Sequence, residues 1–329
     1  MSVQLNAQFE TMFLLCLCPW SEEKKKLVID ELDKFGIDGE DFYKRNYRLA
    51  EQYYHAFEKH CVTSRGTAFM QEIEETLFTV YISIFQQNPD WFFDTGKISD
   101  EAAQAAVKRI LVSEYGDHDE NLITMLDTLA LTDREKWQLI VMHQNAGQQL
   151  RLIASTIAEN LSAFEKAYAK IENEMGILFK HFEQSLLQPQ KTGLMRLPEQ
   201  ISPNTVIIPS MALPISIVLT EDVCIYGLLN YKLSAGGDQL SRAELLMGAK
   251  ALSEKSKVEI LLCLKESSRY NLEIAELVGL TPATVSHHMN ALLASGFVEL
   301  EKKDGKVYYK LTRDGIKRYL ASVKHLFLG

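Results

Sequence analysis

Apolar positions along the first half of the chain recur in steps of three and four, the spacing that places them on one face of an α-helix. Ser21 with Glu22 and Glu23 opens one such run and Gly36 closes it; Asp41 to His60 and Thr67 to Gln86 predict two more helices. Asn88, Pro89 and Asp90 break the pattern, and Ser99 with Asp100 and Glu101 restarts it. Thr132 and Glu135 have the spacing of a capping box, in which each side chain satisfies a backbone N–H at the other's position. Beyond it, Leu150, Ile153, Ile157, Leu161, Phe164, Tyr168, Ile171, Met175, Leu178 and Phe182 predict one long amphipathic helix. Such a helix serves either a core or bundle or the pairing of subunits.

The pattern changes after Gln188. Pro189, Pro198 and Pro203 punctuate the chain, and Thr205 to Pro209, Pro214 to Thr220 and Val223 to Leu229 are short β-branched or apolar runs that predict a small sheet. Ser234 to Asp238, with its two glycines, reads as a hinge or loop. Two amphipathic helices follow, Ser241 to Leu252 and Lys257 to Leu264, separated by the polar Ser253 to Ser256.

Asn271 is placed to cap a short helix through Val278, with Leu272, Ile274 or Ala275, and Leu277 inward. Gly279 supplies the left-handed exit of a tight turn. Thr281 caps the next helix, whose first position, Pro282, has no N–H to leave unsatisfied. On that helix Val285, Met289 and Leu292 form an inner stripe, leaving Thr284, Ser286, His287 and Asn290 outside. Two alternating strands, Phe297 to Lys302 and Lys306 to Leu311, meet around Lys303, Asp304 and Gly305, and Asp-Gly favours a short hairpin. Val298 and Leu300 face Val307, Tyr309 and Leu311, which leaves Lys302, Lys303, Lys306 and Lys310 at the tip or on the wet side. Helix, turn, helix and basic hairpin make a winged helix-turn-helix. The expected fold is mainly α: a large helical N-terminal domain with a small β segment, followed by a C-terminal winged helix-turn-helix domain. The expected divisions are 1–188 (sensor or dimerisation), 189–238 (short strands and linker) and 239–329 (DNA binding).

Charge sharpens the division. The chain of 329 residues carries a net −9, which by itself argues against a polyanionic partner. From Lys250 to Gly329, however, 13 Lys and Arg stand against 9 Asp and Glu, so this segment is net positive and the remainder more acidic than the average. The apolar run Met12 to Cys18 is too short to span a bilayer and lacks a basic flank, so no membrane association and a cytoplasmic location are expected. The 5 cysteines are an odd number and no disulfide framework is expected.

The segments Ala251 to Leu264 (ALSEKSKVEILLCL), Ile274 to Leu292 with its core TVSHHMNAL, Ser295 to Val298 and KKDGKVYYKL together resemble the ArsR-type family of bacterial transcriptional regulators. The resemblance covers the last eighty or so residues. It implies a symmetric homodimer, commonly a repressor, that binds a partly palindromic double-stranded DNA operator and releases it when a small-molecule effector binds. It also implies that Thr284, Ser286, His287 and Asn290, with Pro282 and Ala283 at the helix start, meet base edges or nearby phosphates. Lys302, Lys303, Lys306 and Lys310 would hold phosphates, and His288 matches the family's frequent histidine.

Two departures stand out. From Thr281 to Gly296 there is no Lys or Arg, so bidentate reading of guanine, about 1 to 3 kcal/mol per pair, is not available to this helix. Wing contacts and DNA shape are left to carry more of the affinity. The family's metal-sensing members place cysteines near the first helix of the motif; Ser267 to Glu276 contains none, and Asp314 and His325 lack the companions of the second metal pattern. No metal and no cofactor are expected.

Elsewhere the chemistry is sparse. Cys16 and Cys18 form a C-x-C inside an apolar run and read as buried thiols rather than ligands. His55, His60 and Cys61 have imperfect spacing for a shared metal, and Asp117, His118 and Asp119 read as a solvated loop. Tyr47, Tyr53, Tyr54, Phe57, Phe69 and Phe78 serve either core packing or an aromatic pocket. No nucleophile elbow, Walker sequence, zinc-protease motif or Rossmann glycine pattern occurs, so no enzyme activity is expected. Three functions compete: a regulator with a sensing or dimer-extending N-terminal domain, a regulator whose N-terminal domain binds a protein, and an enzyme with an accessory winged helix. Ile316, Tyr319, Leu320, Val323 and Phe327 give the last helix an apolar face suited to pairing with Ser241 to Leu252 of a second copy. That pairing would set two recognition helices roughly 34 to 36 Å apart.

Overall fold

The computed structural model describes residues 4–34, 37–115, 126, 131–187, 206–220, 223–233, 240, 242–280, 282–303 and 306–328. The chain falls into two compact units: Met1–Ser21, Tyr47–Phe179 and Val206–Leu229 form the first, and Glu22–Asn46, Lys180–Thr205 and Asn230–Gly329 the second. The architecture is the expected one, mainly helical with small sheets and a C-terminal winged helix-turn-helix. The first sheet belongs to the first unit, and the second sheet to the winged helix. Ser234 to Asp238 lies outside the described residues.

In the first unit α1 (Ala7–Leu17) is buried almost all round, with Phe9, Met12, Phe13, Leu14 and Leu15 in the core. Two further helices, α2 (Glu22–Lys34) and α3 (Gly39–Asn46), belong to the second unit. The first unit continues with α4 (Arg48–Glu58), α5 (Arg65–Gln71), α6 (Glu75–Gln87), α7 (Asp100–Tyr115), α8 (Asp133–Gln144) and the greater part of α9 (Ala146–Leu187). The capping box at Thr132 and Glu135 forms as expected, and so does the restart at Ser99, whose hydroxyl accepts from the Ala102 N–H at 3.1 Å. The long amphipathic helix is the 42-residue α9; eight of its ten stripe positions are buried, and Leu161 and Tyr168 are half-buried.

Two expected helices are broken. The run Asp41 to His60 splits at Tyr47, because the Asn46 side-chain amide takes the Phe42 carbonyl (2.8 Å) and competes with the helical bonding there. The run Thr67 to Gln86 splits at residues 72–74, where the Gln138 side chain donates to the Glu72 carbonyl (2.8 Å) and accepts from the Glu74 N–H (3.1 Å). Ser64 then caps α5 in a box with Thr67. The aromatic cluster is core: Tyr47, Tyr53, Tyr54 and Phe57 are buried, while Phe69 and Phe78 are half-buried and Phe78 lies edge-on to Phe13. Cys18 is buried with its thiol 3.7 Å from the Tyr54 carbonyl, and Cys16 is half-buried.

The predicted short strands form one sheet, β1 (Val206–Ser210), β2 (Ile217–Leu219) and β3 (Val223–Gly227), in the order β1-β3-β2, with β1 parallel and β2 antiparallel to β3. Glu10 joins α1 to the end of β1. Its carboxylate accepts from the Ser210 hydroxyl (2.6 Å), the Met211 and Ala212 N–H groups (3.2 and 3.0 Å) and the Tyr53 hydroxyl (3.0 Å). Burial outweighs these four donors and pushes the Glu10 carboxyl up to about 7.

In the second unit the winged helix is built from α10 (Arg242–Ser253), α11 (Lys255–Glu266), β4 (Arg269–Tyr270), α12 (Asn271–Val278), α13 (Pro282–Ala294), β5 (Val298–Lys303), β6 (Lys306–Leu311) and α14 (Arg313–Leu328). The polar separator between the first two helices shrinks to Glu254, the N-cap of α11. Ile260, Ile274, Val285, Met289, Leu292 and Phe297 fill the core, each 0% exposed. α2 is tied to this unit where Lys250 Nζ donates to the Asp33 carbonyl (2.9 Å) in the last turn of that helix, where a cation is favoured.

Candidate nucleic-acid interface

The turn between α12 and α13 rests on Gly279. Its φ of 66° and ψ of 34° are left-handed, and its N–H and that of Leu280 both return to the Ala275 carbonyl. The start of α12 differs from expectation: Tyr270, not Asn271, is the N-cap, and Glu273 accepts its N–H at 3.1 Å. The buried face of α12 is Ile274 and Ala275, while Leu272 and Leu277 are exposed (59% and 57%). At 3.6 residues per turn Leu272 and Leu277 fall on opposite flanks of the face centred on Ile274 and Ala275, so this two-turn helix leaves both outside the core.

α13 presents its predicted inner stripe to the core. Burial of Val285, Met289 and Leu292 contributes roughly 1.5 to 3 kcal/mol each and fixes which side of the helix faces outward. Thr284 is half-buried and Asn290 exposed. Pro282, Ala283, Ser286 and His287 take their places along the helix, and their side chains lie outside the described residues, as does Thr281. His288 is largely sheltered, with Nδ1 3.7 Å from Glu254 Oε2, and so lies at the edge between the buried and outward sides of the helix.

The hairpin forms with the predicted facing of Val298 and Leu300 toward Val307, Tyr309 and Leu311, its strand running on through Lys303, and its register sets Val298 opposite Leu311, Leu300 opposite Tyr309 and Lys302 opposite Val307. Val298 and Leu300 are buried, Tyr309 and Leu311 half-buried and Val307 partly exposed. Burial raises the Tyr309 phenol above its ordinary range, as befits wing core. β4, which sequence periodicity does not reveal at two residues, adds a third strand through Arg269 opposite Tyr309 and Tyr270 opposite Tyr308. The closing pair of the hairpin is Lys303 opposite Lys306, and like charges directly across a ladder are destabilising. The side chains of Lys302, Lys303 and Lys306 lie outside the described residues.

Lys310 is a different case. Its Nζ is 3.2 Å from Glu299 Oε1, the carboxylate opposite it on β5. That partner was legible in principle, since the Asp-Gly turn fixes the register that sets Glu299 across from Lys310. Among the described residues no group of three His, Cys, Asp or Glu side chains could hold a metal ion. Nor is any described helix long and apolar enough to cross a membrane.

The last helix closes the domain against its own chain. Tyr319 of α14 lies edge-on to Phe297 (5.2 Å) and so close to Gly248 of α10 that a Cβ there would strike its ring. Gly315 similarly meets the Gly296 carbonyl and leaves no room for a side chain. Of the predicted apolar face, Tyr319 is buried, whereas Leu320 and Phe327 are 58% and 76% exposed.

A recognition helix on a two-helix support, flanked by a β-hairpin, defines a winged helix-turn-helix domain. Residues 254–299 are similar to the family described as bacterial regulatory protein, arsR family. The match runs from the N-cap of α11 into the first residues of β5. No curated protein and no solved structure matches the chain.

Proposed function

We propose that the protein is a sequence-specific, double-stranded-DNA-binding transcriptional repressor of the cytoplasm that acts as a homodimer and has no enzyme activity or cofactor of its own. Its acidic N-terminal helices would receive a small-molecule effector or extend the dimer. The observation that carries this reading is the outward face of α13 beside a hairpin whose tip sets Lys303 against Lys306. Two lysines paired in register at the hairpin end suit a duplex phosphate while the helix enters the major groove. Under this reading Pro282, Ala283, Thr284, Ser286, His287 and Asn290 face the bases and Lys302, Lys303 and Lys306 the backbone, while Lys310, engaged by Glu299, adds little.

The dimer reading draws on exposed apolar residues of the domain: Leu320, Leu326, Phe327 and Leu328 on α14, and Leu246 and Leu252 on α10. A second reading makes the N-terminal part a protein-binding module, and Trp137 and Phe93, 65% and 73% exposed, favour it. Selection of duplexes by the purified full-length protein tests the main proposal. Enrichment of a site with two related half-sites about one helical turn apart supports it, and absence of retention in dilute salt overturns it. Thermal-shift screening with metabolites separates an effector site from a protein-binding module.

A further inference from the structure

Glu254 occupies the N-cap of α11 with extended backbone (φ −99°, ψ 123°), yet its side chain does not cap that helix. Its two carboxylate oxygens point elsewhere. Oε1 takes Lys257 Nζ at 2.8 Å, and Oε2 reaches across to His288 Nδ1 on α13 at 3.7 Å. Both partners are sheltered, Lys257 with 8% and His288 with 12% of its side chain exposed. A sheltered ammonium needs a counter-charge nearby, so Lys257 holds the carboxylate in place from one side. The carboxylate in turn faces the imidazole from the other side, in electrostatic contact and beyond hydrogen-bond reach.

The position of His288 gives this contact its meaning. Thr284 lies one helical turn earlier on the same stripe, and Val285 and Met289, on the buried side, flank that stripe. The apolar stripe sets the helix against the core, but methyl and thioether contacts tolerate small rotations. A polar tether at the edge of that stripe does not. We infer that Glu254 is a positioning residue that fixes the roll of the recognition helix through His288, with Lys257 as its anchor. Choice between DNA sequences, more than DNA affinity as such, then depends on it. The inference rests on the DNA-binding reading above.

The test uses the full-length protein and two duplexes, the one it enriches from a random pool and a scrambled one. Glu254→Ala and His288→Ala are each expected to lower the ratio of the two affinities about tenfold, as one misaligned base contact would. Scrambled-duplex affinity and its salt dependence stay as in the wild type, because phosphate contacts set them. The double variant is no worse than the poorer single one, since both remove one contact. Glu254→Gln keeps the reach and a hydrogen-bonding end and restores most of the ratio, although, like Glu254→Ala, it leaves Lys257 without its charge partner and melts at a lower temperature. That split separates positioning from loss of stability. An unchanged ratio in Glu254→Ala, effects that multiply in the double variant, or failure of Glu254→Gln to restore the ratio would each overturn the inference. If the wild type itself does not distinguish the two duplexes, the DNA-reading proposal falls instead.

Discussion

The first unit and the winged helix bury polar groups in opposite ways. In the first, Glu10 sits wholly inside and is bound by groups about two hundred residues away in sequence, at the end of β1. In the second, charged side chains come in short-range or surface-edge pairs such as Lys257 with Glu254 and Lys310 with Glu299. The first unit is therefore closed by one distant polar knot, whereas the winged helix is assembled from local signals around a small apolar core. Losing Glu10 strands donors far apart in the chain; losing the Lys310–Glu299 pair of the wing frees groups that water can reach.

The largest expected effect breaks the comparison at Glu10. Glu10→Ala strands two backbone N–H groups and two hydroxyls in the core and is expected to cost about 3 to 5 kcal/mol, read as a shift of the denaturant midpoint. A shift below 1 kcal/mol would show that the knot does not close the first unit.

Next comes pH. The Glu10 carboxyl is raised from 4.5 to about 7, so the folded protein keeps a proton that the unfolded chain gives up. Its contribution is fully present below about 4.5 and is lost as the pH rises through 7, a fall of about 3 kcal/mol. Urea midpoints at pH 5 and pH 8 should differ in that direction for the wild type and by much less for Glu10→Gln.

On the winged side, Lys303→Ala combined with Lys306→Ala is expected to weaken all duplexes alike. It should also reduce the slope of log affinity against log salt by about 2. An unchanged slope removes the wing from the interface. The smallest effect is at Lys310→Ala. An exposed pair is worth about 0.2 to 1 kcal/mol, so stability should change by less than 1 kcal/mol, with little change in the salt slope because Glu299 already engages this lysine.

The same contrast decides what could be read from the chain. Gly279, Pro282, the stripe of Val285, Met289 and Leu292, and the register around Asp304 and Gly305 are local devices, and the turn, the stripe and the strand pairing all appear where their spacing puts them. The Thr132 and Glu135 box was equally local. What escaped depends on partners distant in sequence. The break at residues 72–74 is made by Gln138, and the tether on His288 comes from Glu254, neither of which a periodicity argument can see. Leu272 and Leu277 misled because a two-turn helix has less inner surface than its apolar residues could fill. Tyr47 shows the remaining kind of miss, a local side-chain bond from Asn46 strong enough to divide an otherwise continuous run.

The recognition helix carries no lysine or arginine between Thr281 and Gly296, and that neutrality has a kinetic consequence. A helix that meets the groove with hydroxyl, amide and imidazole groups adds nothing to the hold on random DNA, which is left to the few wing lysines. Under the proposed function the protein's dwell on wrong sequences is brief, and its search runs through dissociation and re-encounter more than through long one-dimensional sliding.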